Sequence, residues 1–233
     1  MRLTDEQIEL YSRQIILREV GGTGQSALRA ARVRVAGTGA AAEACTSYLV
    51  GAGVGTVVVD RSRATSTTSR DLGLPDDGRR TPDASVVEAG HAEGGAPSDV
   101  RLDLAPDEGS SVDAASSSVE GPAASPRLGS ILLRGDARSG LRLIVLPRAT
   151  GCPACVRIAA TPRGTANPAP GPIALASAGA HAALLACRWI LGIGDDRAAR
   201  VLALDCDGGV WADDVPPVRV ACPRGCPPPA PPV

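Results

Sequence analysis

Apolar positions along this chain follow two rhythms. Between Thr4 and Glu19 they fall at helical spacing, with Ile8, Tyr11, Ile15 and Ile16 on one stripe and a Thr4/Gln7 capping box at the start. This predicts one helix over 4–19, ended by Gly21-Gly22, and a second short helix over 23–31. At Val33 and Val35 the rhythm changes to alternation, which predicts a strand stopping at Gly37. Gly37-Thr38-Gly39 reads as a tight turn. The small residues from Ala40 to Cys45, closed by Tyr48, Leu49 and Val50, read as a helix. After the break at Gly51-Ala52-Gly53, Val57-Val58-Val59 predicts a second strand, ending on the carboxylate of Asp60.

Strand, glycine turn, helix, strand and acid, in that order, define a mononucleotide-binding βαβ unit. The turn amides at Gly37 and Gly39 and the positive end of the helix would face a phosphate. Asp60 would accept from ribose hydroxyls. The third glycine of the fingerprint is replaced by Ala42, a mild cost where helix and strand pack closely.

Beyond Asp60 the pattern weakens. Residues 61–130 are dominated by Ser, Thr, Gly, Pro, Asp and Ala, which predicts a divergent, partly disordered insert within a single domain over 1–233. Only Val86-Val87 and Val100-Arg101-Leu102 offer strand or helix fragments there. Strand-like runs return at 131–133 and 141–146, split by a Gly135-Asp136 turn. Residues 173–191 predict a buried helix ended by Gly192; 201–204 and 218–220 predict late strands; 227–233 is a proline tail.

Composition narrows the function classes. A net charge of −1 gives no electrostatic case for nucleic acid or an acidic membrane. No apolar run is expected to reach the ~18 residues of a spanning helix, so the protein is expected to be soluble and cytoplasmic. Lysine is absent; every one of the 24 basic residues is Arg. Of the seven cysteines, Cys45 and Cys187 read as small core residues and Cys206 follows a strand. Cys152/Cys155 and Cys222/Cys226 form two knuckles whose spacings suit a four-thiolate, structural Zn2+ site; unmetallated thiols are the alternative. His181, inside the alanine-rich helix, reads as a core histidine rather than a base.

The segment LTDEQIELYSRQIILREVGGTGQSALRAARVRVAGTGAAAEACTSYLVGAGVGTVVVD, the two knuckles and the helix GPIALASAGAHAALLACRWILG together resemble the ThiF/MoeB/HesA family of ubiquitin-activating-type adenylyltransferases. The resemblance covers about half of the chain. It implies a Rossmann-like, mostly parallel α/β sheet with helices on both faces and an N-terminal helical extension, assembled as a homodimer. It also implies use of ATP and Mg2+ to adenylate the C-terminal glycine of a ubiquitin-like sulfur-carrier protein. By resemblance, Gly37 and Gly39 sit at the phosphates and Asp60 holds the ribose. Arg13, in YSRQI, matches an arginine sent across the dimer to the partner's ATP, and Arg70, in TTSRDL, matches the arginine of the NLxRQ motif.

Several positions depart from that pattern. The family's catalytic lysine has no counterpart; Arg79 or Arg80 would have to supply the charge with a differently shaped group. The aspartate-rich magnesium motif is reduced to Asp113 as its nearest candidate. The glycine loop reads GTGAAA, and loss of glycine at Ala40 is expected to remove a conformation that glycine adopts cheaply. Residues 156–172 hold no cysteine for sulfur chemistry. Three functions therefore compete: an active adenylyltransferase, a catalytically degenerate homologue binding a nucleotide or partner, and an NAD-dependent dehydrogenase. The last lacks a substrate domain and a catalytic dyad.

Overall fold

The computed structural model describes residues 3–60, 85–88, 98–104, 127–136, 140–148, 156–157, 170–194, 198–205, 210–213 and 218–219. The chain begins with α1 (Asp5–Leu10) and α2 (Ser12–Ile15), followed by α3 (Gly21–Ala30) and β1 (Arg32–Ala36). Next come α4 (Ala40–Gly51), β2 (Thr56–Asp60), β3 (Ser85–Glu88), β4 (Val100–Asp103), β5 (Gly129–Asp136) and β6 (Gly140–Pro147). It ends with β7 (Val156–Arg157), α5 (Pro172–Leu191), β8 (Arg200–Asp205), β9 (Val210–Asp213) and β10 (Val218–Arg219).

Eight strands form one sheet in the order β3-β2-β1-β4-β5-β6-β8-β9. β3, β2, β1, β4 and β5 run parallel to their neighbours, and β6, β8 and β9 continue the sheet antiparallel. The α/β architecture expected from the βαβ pattern is therefore present. A central parallel strand must be apolar on both faces. Val57, Val58 and Val59 are accordingly all buried, as are Ile131, Leu132 and Leu133. Side chains of α3, α4 and α5 share one core with Val33, Val35, Val57 and Val59. On the opposite side of the sheet Val58, Leu132, Ile144 and Leu146 are buried as well, so both faces are covered.

Several details depart from the sequence reading. The helix expected over 4–19 is two short helices, broken at Tyr11 (φ −100°, ψ 13°). The break lets the Tyr11 ring sink to 1% exposure against Gly53, while Ile8 and Ile16 of the expected buried stripe stay 46% and 80% exposed. Gly21-Gly22 opens α3 rather than closing the preceding helix. Gly135 and Asp136 lie inside the β5–β6 ladder, Asp136 opposite Gly140, rather than forming its turn. The fragment at Val100 is β4, a central strand packed beside β1, and β9 had no sequence signal strong enough to be expected.

The helix α5 ends on Gly192, which takes the left-handed conformation (φ 67°) that glycine adopts cheaply. It is long and apolar enough to span a membrane by length and composition, which corrects the expectation that no such run exists. Here α5 is a core helix on one side only: Ala178, Ala182 and Ala186 are fully buried while Ile173 and Leu184 are exposed.

Candidate functional site

The order of the parallel strands reverses between β1 and β4, since the chain passes from β1 outward to β2 and β3 before returning to β4. Ligands of open α/β sheets bind in the crevice at such a switch point, beyond the carboxyl ends of the strands. The glycine turn lies on this rim. Gly37 (φ 127°) and Gly39 (φ 79°) both occupy backbone conformations that L side chains avoid. The Gly37 N–H donates to the Asp60 carbonyl at 3.0 Å, tying the turn to the end of β2.

Gly39 is the N-cap of α4, and no side chain caps that helix end. The space where a Gly39 Cβ would stand is open. The first amides of α4 therefore combine donor capacity with the positive end of a twelve-residue helix. An anionic group fits that environment. Ala40 is already the first helical residue, and no described non-glycine residue has positive φ. The expected conformational cost of Ala40 is therefore absent.

Register places two carboxylates beside the end of β1. Ala36 is opposite Asp60 on β2 and opposite Asp103 on β4, so both acids share a row and a face of the sheet. Each meets an arginine. The Arg34 Nη2 donates to Asp60 Oδ2 at 2.7 Å, the two side chains being 21% and 14% exposed. The Arg134 Nη2 lies 3.9 Å from Asp103 Oδ2, while its Nη1 donates to the Leu133 carbonyl at 2.8 Å. Asp103 was passed over in favour of Asp113, which lies outside the described residues. The usable signal was an acid closing the short apolar run at Val100, as Asp60 closes the run at Val57.

Other expected residues are placed less centrally. Arg13 is exposed on α2 and makes no hydrogen bond or ion pair with a described residue. Its neighbour Gln14 donates to the Gly51 carbonyl at 3.3 Å, fixing α2 to the end of α4. Arg70, Arg79, Arg80, His91, Cys206, Cys152, Cys155, Cys222 and Cys226 lie outside the described residues. Among the described residues no cluster of metal-ligating side chains occurs. The antiparallel pairing of β7 with β10 nevertheless joins strands that begin one residue after Cys155 and end three before Cys222.

His181 is half-buried on α5 and stacks on Trp211 of β9, with ring centroids 5.2 Å apart. Burial, and secondarily Arg188, holds its pKa below the ordinary histidine value. Burial raises the thiol pKa of Cys45 and pushes that of Cys187 up to about 11, which makes both inert core residues rather than nucleophiles.

A glycine turn, an uncapped helix end and a terminal acid at the switch point match the βαβ pattern that mononucleotide-binding α/β domains use. Comparison with models of known protein families finds no match. Among characterised proteins, the chain is similar to the molybdopterin-synthase adenylyltransferase of Salmonella typhimurium, 53% identical over 53 residues, covering 23% of this chain and 21% of that protein. It is also similar to the sulfur carrier protein adenylyltransferase of Thermus thermophilus, 40% identical over 32% of this chain and 31% of that protein. These matches thus span less than a third of either relative's length. In fold it resembles E. coli MccB, with a TM-score of 0.57 and 15% identity over 91% of this chain and 70% of that one. It also resembles PaaA, with a TM-score of 0.56 and 14% identity over 93% and 75%. Over less than a third of its length the chain is thus similar to ThiF/MoeB-type adenylyltransferases, and its fold is the one seen in MccB and PaaA.

Proposed function

We propose that this protein is an ATP-dependent adenylyltransferase acting on the C-terminus of a ubiquitin-like sulfur-carrier protein. The observation that carries the reading is the rim of β1 and β2. There the Gly37 turn, the uncapped start of α4 and Asp60 stand in the order a nucleotide requires. The names of the two adenylyltransferase relatives support the reaction, and a solved structure of MccB with ATP shares the fold at a TM-score of 0.56.

In this reaction a carboxylate oxygen of the carrier attacks the α-phosphate, an acyl–phosphate bond forms, and pyrophosphate leaves with the electron pair of the broken P–O bond. Both reactants are anionic, so cations and amide dipoles must stabilise the transition state. The α4 amides would hold phosphate and Asp60 would accept from the ribose. The charge would come from Arg70 and from the Arg13 of a second copy. Exposed Ile8, Leu10, Ile16 and Leu17 around Arg13 support a homodimer that buries this segment. Mg2+ typically takes one or two carboxylates plus substrate phosphates. Asp103, on the crevice rim, suits that donor set, and the ion would neutralise phosphate charge. Zn2+ on Cys152, Cys155, Cys222 and Cys226 would staple the chain ends; the β7–β10 pairing supports their proximity.

A second reading, a degenerate homologue that binds nucleotide or partner without turnover, is favoured by the absence of lysine. ATP–pyrophosphate exchange with a sulfur-carrier protein separates the two. The adenylyltransferase reading expects carrier-dependent exchange that falls at least about tenfold in D60A. No exchange with carriers that the related adenylyltransferases accept would leave the degenerate reading standing.

A further inference from the structure

We infer that Arg34 is a positioning residue for Asp60, and through Asp60 sets the preference of the site for a ribose 2′-hydroxyl; the inference rests on the nucleotide reading above. Arg34 stands on β1, an interior strand hydrogen-bonded to β2 on one side and to β4 on the other. Its side chain is mostly buried, 21% exposed. An arginine on such a strand carries a desolvation cost that an aliphatic residue would avoid. The charge it meets there is the acid at the end of β2.

Register explains the direction of approach. Arg34 lies opposite Val58, and Asp60 lies opposite Ala36, so the guanidinium reaches one row up the sheet to the carboxylate. It therefore supports Asp60 from the sheet side, whereas a nucleotide seated on the Gly37 turn arrives from the rim. The contact is short for a charge-assisted hydrogen bond, 2.7 Å from Nη2 to Oδ2. A carboxylate offers about four lone-pair sites, so the Arg34 contact does not by itself exclude hydroxyl donors on the same group.

The backbone carbonyl of the same Asp60 holds the Gly37 N–H at 3.0 Å. Phosphate turn, ribose acid and Arg34 are thus one connected unit. Fixing the carboxylate rotamer beforehand reduces the ordering cost charged to nucleotide binding. Without the guanidinium, Asp60 would keep its charge but lose the contact that orients it from β1. Discrimination between ribose and deoxyribose should suffer more than contact with the phosphates, which rests on backbone amides.

Calorimetry of the full-length protein with Mg-ATP and with Mg-2′-deoxy-ATP tests this, comparing wild type, D60A, R34L and R34K. Circular dichroism confirms folding. R34Q serves where R34L does not fold, with the same expected loss. Wild type should prefer ATP by about tenfold or more, the worth of a hydrogen bond to a charged group. D60A and R34L should bring the two ligands within about twofold of each other, and R34K should restore most of the preference. Full preference in a folded R34L or R34Q would overturn the inference. So would tighter ATP binding in either variant, which would make Arg34 a competitor of the ribose. Either result, with D60A still impaired, leaves the nucleotide reading intact. Wild type without ATP binding, or D60A binding like wild type, would remove both.

Discussion

At the scale of single residues, the half-buried His181 gives the fold a pH dependence whose sign is fixed. Burial disfavours its imidazolium form, so its folded pKa lies below the unfolded value near 6.5. Above that unfolded value the ring is neutral in both states and the group contributes nothing to the pH dependence. As pH falls below it, the unfolded chain takes up a proton that the folded chain refuses, and stability declines until the folded pKa is passed. Denaturant titrations from pH 7.5 to 5 should show this loss, and H181F, which keeps an aromatic face for Trp211, should flatten it. An unchanged slope in H181F would place the pH dependence elsewhere. Asp60 was legible in the sequence because it follows three valines at the spacing the βαβ fingerprint requires. Asp103 was not, because its strand is only four residues long and is embedded in polar sequence. The Arg34 pairing was not legible either. It depends on register across two strands, which one-dimensional spacing does not contain.

At the scale of elements, α4 and α5 meet through small residues. A Cβ on Gly179 would collide with the backbone of Ala41, so the helices approach as closely as a glycine on α5 permits. G179A should cost about 1–3 kcal/mol by forcing the helices apart, a fall in Tm of roughly 2–12 °C for a chain of this size. G51A is the control, because a Cβ at the exposed end of α4 meets nothing within 4 Å. A thermal melt with both variants unchanged would contradict this packing. Periodicity recovered α4 and α5 because their apolar density is sustained over many turns. It failed at the amino terminus, where one buried ring, Tyr11, breaks a helix that local propensity would continue. Hydropathy also underrated β4, whose burial comes from its place between β1 and β5 rather than from its own composition.

At the scale of the whole molecule, the fold brings the glycine turn and both rim acids to one end of the parallel half of the sheet. The antiparallel half, β6, β8 and β9, extends the platform, and α5 is packed beneath it. Much of the architecture followed from the βαβ signature and the resemblance carried by the amino-terminal segment. The placement of Asp103 beside Asp60 followed from strand order, a property of the folded chain. The central claim is that this rim binds a nucleotide through the turn, the α4 amides and Asp60. Titration calorimetry of the folded, full-length protein with Mg-ATP, alongside D60A, tests it most directly. The account predicts binding in about the micromolar range, weakened at least about tenfold in D60A. Absence of heat with the wild type, or equal affinity in D60A, would contradict it and reduce the glycine turn to an inherited structural feature.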